Sequence, residues 1–288
     1  MSAPPTSASE VLKLPFSGLL GERPLYIYLP PGYNDPDAQN TRYPVLYLHD
    51  GQNGFEAASG DAFGETWRAD TSADALIAAG TVRPPIIVGV GNGGERRLEE
   101  YLPPYSRLPT GPRRRGRHGL RRPRHLRGRA HQTYAEYRGV ARFVASRFRV
   151  LAGREHIATC GSSLGGLFSA YLALEHPEFA RHHGVMSASF WATERGGEVE
   201  MFRRWREAPV RDVRLWLDSG TGEGDSDDNR AVTLQAREAL LAAGYEEGNH
   251  FVYHLAEGAA HTEAAWAARF PEVLRFLFPP VAGDETAP

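Results

Sequence analysis

One cysteine, one lysine and no long apolar run mark what this chain does without. With Cys160 alone, no disulfide can form within the chain, and the fold does not need an oxidising compartment. No stretch approaches the roughly 18 uncharged apolar residues that a transmembrane helix requires. The opening residues, MSAPPTSASEVLKLP, lack the basic segment and apolar run of a secretory signal. A soluble, cytoplasmic protein without a membrane partner is therefore expected. The net charge of −2 gives no bulk attraction toward nucleic acid either. Lys13 is the only lysine among 33 basic residues, a bias of composition rather than a functional signal.

What is present is enough apolar material, 41% of 288 residues, for a sizeable core. Residues 1–9 and 280–288, rich in Ala, Pro, Ser, Thr and acid, are expected to be loose tails around one domain at 10–279. Short apolar runs at 24–30, 43–50, 84–91, 156–161, 184–189, 213–220 and 250–258 read as strands. Several are apolar on both faces, as in a buried parallel sheet. Helical spacing appears at 133–148, where Tyr134, Tyr137, Val140, Val144 and Phe148 form one stripe. It recurs after Ser163, in the run ending at Gly244, and at 262–278, where Pro271 is expected to kink or restart the helix. Alternating strands and helices predict an α/β fold with one doubly wound sheet.

Residues 111–131 break this pattern, with nine arginines, three histidines and no acid. They suit a basic lid, a solvated insertion or a local reading-frame error. The expectation taken is the solvated insertion loop, because such a composition cannot bury a core.

Gly161-Ser162-Ser163-Leu164-Gly165 matches G-x-S-x-G, between an apolar run and a helical stripe. That is the strand–turn–helix context of a nucleophile elbow. The turn exposes the central hydroxyl, here Ser163, and the small residues let strand and helix approach closely. The helix N-terminus favours a developing oxyanion. A tight turn without chemistry is the alternative. A nucleophilic serine needs a base and an orienting acid, in the chain order Ser, Asp/Glu, His. His261, in AEGAAHTEAAW after the last strand, fits the base better than His250 or His254. The acid falls in LDSGTGEGDSDDN, which offers Asp218, Glu223, Asp225, Asp227 and Asp228. Glu223, just past the SGTG turn, is the expected acid and Asp225 the alternative. A calcium loop there would lack its glycine and distal glutamate. Leu164 N–H and Gln52 N–H, the latter in HDGQNGF, are the expected oxyanion donors.

YPVLYLHDGQN, GNGGERRLEEYLPPYS, GSSLGGLFSAYLALEHPEFA, SASFW, LDSGTGE and GAAHTEAAWAARFPEVLRFLF together resemble the putative esterase family of α/β-hydrolases. That family includes enterochelin-type siderophore esterases, feruloyl and acetyl xylan esterases, S-formylglutathione hydrolase and mycolyltransferases. The resemblance covers about residues 10–279 except 107–133. It implies a mostly parallel central sheet with helices on both faces and no large cap domain. It also implies Ser163 as nucleophile, His261 as base and Glu223 as acid, where many members have Asp. Asn92, Arg97, Glu100 and Tyr101 match a polar stretch at the active-site rim, and Phe190 and Trp191 match a pocket wall. The expected activity is that of a serine carboxylesterase on short-acyl esters, with a small-molecule ester substrate and neither metal nor cofactor. A siderophore or other polyester hydrolase is the enzymatic alternative, and an inactive binding module on the same fold is the alternative of another class. Homo-oligomerisation is left open.

Overall fold

The computed structural model describes residues 6–62, 64–110, 115–116, 119–120, 124–222 and 227–280. Strand β1 (Glu10–Gly18) turns back into β2 (Gly21–Leu29), paired antiparallel from Glu10 opposite Leu29 to Gly18 opposite Gly21. Then come β3 (Val45–His49), α1 (Ala69–Ala78), β4 (Ile86–Val90) and α2 (Arg97–Tyr101). Next are β5 (Arg107–Thr110), β6 (Arg115–Gly116), β7 (Gly119–Leu120), β8 (Arg124–Arg127) and α3 (Ala130–Arg147). β9 (Ile157–Ser162), α4 (Leu164–Glu175) and β10 (His182–Met186) form the centre. The short pair β11 (Glu194–Arg195) and β12 (Glu198–Val199) leads to α5 (Glu200–Glu207). β13 (Arg214–Gly220), α6 (Arg230–Ala242), β14 (Phe251–Ala256) and α7 (Glu263–Leu277) complete the order.

Eight strands form one sheet in the order β1-β2-β4-β3-β9-β10-β13-β14. From β4 to β14 neighbouring strands are parallel, while β2 runs antiparallel to both β1 and β4. Alternate side chains enter opposite cores, as a period of two requires. Val45 and Tyr47 join Tyr137, Val140, Leu167 and Leu240 from α3, α4 and α6. Leu46 and Leu48 join Leu76 of α1 and Trp266, Phe270 and Leu274 of α7. The sheet is thus covered on both faces, which is why its central strands read as continuous apolar runs. The carboxyl ends of β3, β9, β13 and β14 lie along one edge of this layer, where ligands bind in open α/β sheets.

All seven expected strands are present. The 184–189 run leaves the sheet at Met186, because Ser187 takes a left-handed backbone at φ 43°. β1 is an addition: in EVLKLPFSG only Phe16 is buried, so this edge strand carries no apolar run to read. α7 continues through Pro271 instead of restarting. The arginine-rich stretch is also more regular than a loop where it is described. β5 and β8 pair antiparallel, with Leu108 opposite Leu126, both packed against the core, while Arg107 and Arg127 are exposed. The charge density of the segment hides this alternation in the sequence. Residues 111–114, 117–118 and 121–123 lie outside the described residues, and 130–131 already belong to α3.

Candidate active site

The elbow begins where β9 ends. Ser163 stands at φ 55°, ψ −117°, a conformation that L-residues avoid unless the surroundings impose it. Two backbone bonds do so here: Ser163 N donates to Met186 O at 3.0 Å, and Ser189 N donates to Ser163 O at 3.0 Å. Gly161 is required by space, because a Cβ there would lie 2.7 Å from His49 Cδ2 and 2.8 Å from the Gly165 carbonyl carbon. The turn presents a half-buried Ser163 hydroxyl, which meets Ser189 Oγ at 3.2 Å, whereas Ser162 is buried.

His261 follows β14, in the loop before α7. Its Nδ1 lies 2.7 Å from Asp228 Oδ1, and its ring stands edge-on to Trp266 at 4.9 Å. With Nδ1 committed to the carboxylate, Nε2 is the nitrogen left for a proton from solvent or substrate. The expected acids Glu223 and Asp225 lie outside the described residues. Among the described residues, the carboxylate on His261 is Asp228, at the entrance to α6. Asp228 and Asn229 both have left-handed φ values, 50° and 60°, which Asp and Asn tolerate better than most residues. Asn229 Nδ2 donates to Ser187 O at 2.7 Å and so fixes this turn.

Asp228 is fully buried and accepts several donors. Oδ2 receives Ser187 Oγ at 2.7 Å, Gly220 N at 2.5 Å and Arg269 Nη2 at 3.0 Å. The same Arg269 nitrogen reaches Asp218 Oδ1 at 3.1 Å, and Trp216 Nε1 donates to Asp218 Oδ2 at 2.8 Å. Burial pushes the Asp218 carboxyl above its ordinary range, against the pull of Arg269. A buried ion network thus anchors the histidine's partner. Its members come from β13, the loop after β10, the turn before α6, and α7.

Of the expected oxyanion donors, Gln52 lines the same cavity as Ser163 and His261, and Leu164 follows Ser163 as the first residue of α4. Gly51–Asn53 form one 3-10 turn directly after β3, with Asp50 before it at φ 56°. Gly51 allows this turn to press on β4: a Cβ there would lie 2.2 Å from the Gly89 carbonyl carbon. Neither Gln52 N–H nor Leu164 N–H has a hydrogen-bond acceptor among the described residues. Asp50 is the hub of this loop, and sequence reasoning did not single it out. Its Oδ1 accepts Arg97 Nε at 2.7 Å and Asn92 Nδ2 at 2.5 Å, and its Oδ2 accepts Arg97 Nη2 at 2.7 Å. Asp50 N donates to Tyr101 Oη at 3.1 Å, and Asn92 N donates to Gln52 Oε1 at 3.3 Å. Burial disfavours the charged guanidinium, but the Asp50 charge outweighs it and raises the Arg97 pKa.

Ser163, His261, Gln52, Asn92 and Arg97 line one cavity of about 420 Å³, together with Asp50, Asn53, Trp67, Glu263 and Trp266. Other expected rim and wall residues lie elsewhere. Glu100 is buried and pairs with Arg23 at 3.2 Å, and Tyr101 supports Asp50 from behind. Phe190 is fully buried against Phe202 and Trp205, with ring centroids 5.2 and 5.6 Å away, so it is a core residue and not a pocket wall. Trp191 is 49% exposed and is not among the described residues that line the cavity. Among the described residues, no group of three or more His, Cys, Asp or Glu is placed to hold a metal ion. No helix among them is long and apolar enough to cross a membrane.

An imidazole held by a buried carboxylate, a hydroxyl on a strained turn and backbone N–H groups without an acceptor among the described residues are parts that acyl transfer can use. Comparisons with known proteins bear on the family and the fold. The chain is 23% identical over 265 residues to the protein of Bacillus subtilis (strain 168) named uncharacterized protein YbbA, spanning 90% of this chain and 93% of that protein. A ferulic acid esterase structure superposes with a TM-score of 0.67 at 19% identity, covering 96% of this chain and 99% of the other. The enterobactin esterase FES from Shigella flexneri gives a TM-score of 0.65 at 15% identity, over 93% of this chain and 59% of that one. Both structures share the α/β-hydrolase fold seen here. The family model described as putative esterase matches residues 17–277, and the chain therefore belongs to the putative esterase family.

Proposed function

We propose that the protein is a serine carboxylesterase acting on short-acyl esters in the cytoplasm. Ser163 Oγ attacks the ester carbonyl as His261 Nε2 takes its proton. Asp228 holds the imidazole in the tautomer with Nδ1 protonated and stabilises the imidazolium that forms. The N–H groups of Gln52 and Leu164 receive the oxyanion. The alcohol leaves with the proton returned by His261, and water then releases the acyl group from Ser163 by the same steps in reverse. The observation that carries this reading is the 2.7 Å His261–Asp228 contact, in a cavity that Ser163 shares. That pairing also argues against an inert binding module, which has no use for a buried carboxylate behind a cavity histidine.

In the resting arrangement Ser163 Oγ sits against Ser189 Oγ, and on this reading it turns to His261 when substrate enters. Catalytic hydrogen bonds commonly tighten only in the substrate complex. A fluorophosphonate probe should label the wild type and not Ser163→Ala, and that variant should lose ester hydrolysis while keeping its thermal midpoint. Labelling that survives in Ser163→Ala and vanishes in Ser162→Ala would move the nucleophile. Absence of labelling in the wild type would defeat the reading.

A further inference from the structure

The charges around the cavity do not balance. Its described lining holds two carboxylates, Asp50 and Glu263, but one guanidinium, Arg97. Both Nε and Nη2 of Arg97 are committed to Asp50 at 2.7 Å, so this arginine holds the oxyanion loop and is not presented as a fork for a substrate carboxylate. Glu263 has no such cation. Its Oε1 accepts a neutral donor, Asn53 Nδ2, at 3.2 Å, and no ion pair to Glu263 occurs among the described residues. Burial pushes the Glu263 carboxyl above its ordinary range; the Asn53 hydrogen bond and the Arg97 charge oppose this, and the Asp50 charge adds to it. Behind His261, Asp228 and Asp218 both pair with Arg269, the one cation on them among the described residues. Trp67 and Trp266 line the same cavity, with ring centroids 6.2 Å apart, and bring no positive charge to it.

We propose that Glu263 is a specificity-determining residue, and that the cavity selects uncharged or cationic esters against anionic ones. This inference rests on the serine-esterase reading and deepens it to a substrate class. An anionic substituent beside Glu263 would meet an uncompensated carboxylate in a partly desolvated site, where repulsion is stronger than in water. A quaternary ammonium or neutral alkyl group of the same shape would not. The competing explanation is structural: Glu263 opens α7, where an acid suits the helix dipole. That role would change the thermal midpoint but not the ranking of substrates by charge.

The test uses three acetate esters of similar size: acetylcholine, its uncharged carbon isostere dimethylbutyl acetate, and anionic acetoxypropanesulfonate. They are assayed at weakly alkaline pH, above the ordinary carboxylate and histidine ranges. In the wild type, kcat/KM should fall from cation to neutral ester to anion, by about three- to tenfold at each step, as for a charge interaction partly screened by solvent. The differences should lie mainly in KM. Glu263→Gln should compress the whole series to within about twofold, and Glu263→Asp should keep its order. Should Glu263→Gln misfold, competitive inhibition of the wild type by choline and by dimethylbutanol makes the same comparison, with choline the tighter. Equal inhibition by the two, an unchanged ranking in Glu263→Gln, or a wild-type preference for the sulfonate would each overturn the inference. Cleavage of all three esters at equal rates would sink charge selection and leave the esterase reading standing. No cleavage together with no fluorophosphonate labelling would sink both.

Discussion

Replacing Asp228 with Asn keeps the shape of the side chain but removes its charge and turns one acceptor into a donor. The structure decides which way the amide must lie. Oδ2 of Asp228 receives the Gly220 N–H at 2.5 Å and Arg269 Nη2 at 3.0 Å, neither of which can accept a hydrogen bond. The amide oxygen is therefore held on that side, and the NH₂ group faces His261 Nδ1. An NH₂ there selects the imidazole tautomer protonated on Nε2, which cannot take the Ser163 proton. The lost attraction between carboxylate and imidazolium, with charge centres roughly 4 Å apart, is about 4 kcal/mol at an effective dielectric constant near 20. That corresponds to about a thousandfold in rate. The wrong tautomer adds to it, so kcat for a nitrophenyl acetate should fall by about 10³–10⁴, with little change in KM. The thermal midpoint should also fall, since a charge-assisted bond inside the network contributes about 1.5–3 kcal/mol. Glu223→Gln and Asp225→Asn should lower kcat far less than Asp228→Asn does, because one carboxylate orients the imidazole. A larger loss for Glu223→Gln than for Asp228→Asn would refute the reasoning and return the role to Glu223.

The Asp50–Arg97 pair offers a double-mutant cycle. Arg97→Gln leaves the Asp50 carboxylate without its ion-pair partner in the cavity that holds Ser163, so its charge should oppose a developing oxyanion and lower kcat by about tenfold, a repulsion of about 1.4 kcal/mol. Asp50→Asn combined with Arg97→Gln should recover most of that loss, whereas strict additivity of the two variants would show that the pair does not act through charge. Nitrophenyl acetate to butyrate should be hydrolysed faster than esters beyond about ten carbons, because each added CH₂ contributes about 0.8 kcal/mol only where an apolar site can bury it; a rising rate with chain length would contradict this. His49 and His183 are fully buried, and burial lowers each pKa to about 3. The unfolded chain then binds the extra protons, so stability is complete above the ordinary histidine range near 6.5 and is lost as pH falls from there toward 3. The thermal midpoint should drop steadily between about pH 6.5 and 4, as about 2 kcal/mol of unfolding free energy per histidine is lost by pH 5. A flat midpoint across that interval would show that these imidazoles are not held neutral.

The resemblance to esterases was legible in the sequence because its signals are local. A strand ending in Gly161 with a helix opening at Leu164 leaves Ser163 on a turn whatever the rest of the chain does. A histidine in the loop after the last strand, His261, has to emerge at the same edge of a parallel sheet. The alternating apolar runs defined seven of the eight main strands for the same reason, since burial between two helical layers is written residue by residue. The edge strand β1 was not legible, because pairing on one side only lets it carry polar residues.

The acid was not legible, because five carboxylates lie within one short stretch after β13 and composition cannot rank them. Distance along the chain favoured Glu223. Among the described residues, it is the turn at Asp228–Asn229 that packs against His261 and meets Gly220, Ser187 and Arg269. Arg97 reads as a rim residue for substrate until Asp50, 47 positions away in sequence, is seen to occupy its fork. Phe190 reads as a pocket wall until Phe202 and Trp205 close over it. By itself the sequence determined the sheet, the turn that carries Ser163 and the loop that carries His261, because backbone periodicity and turn chemistry fix these locally. Tertiary structure alone decided which carboxylate meets the imidazole and which charges in the cavity remain unpaired. Those outcomes depend on which side chains from distant elements satisfy one another once water is excluded.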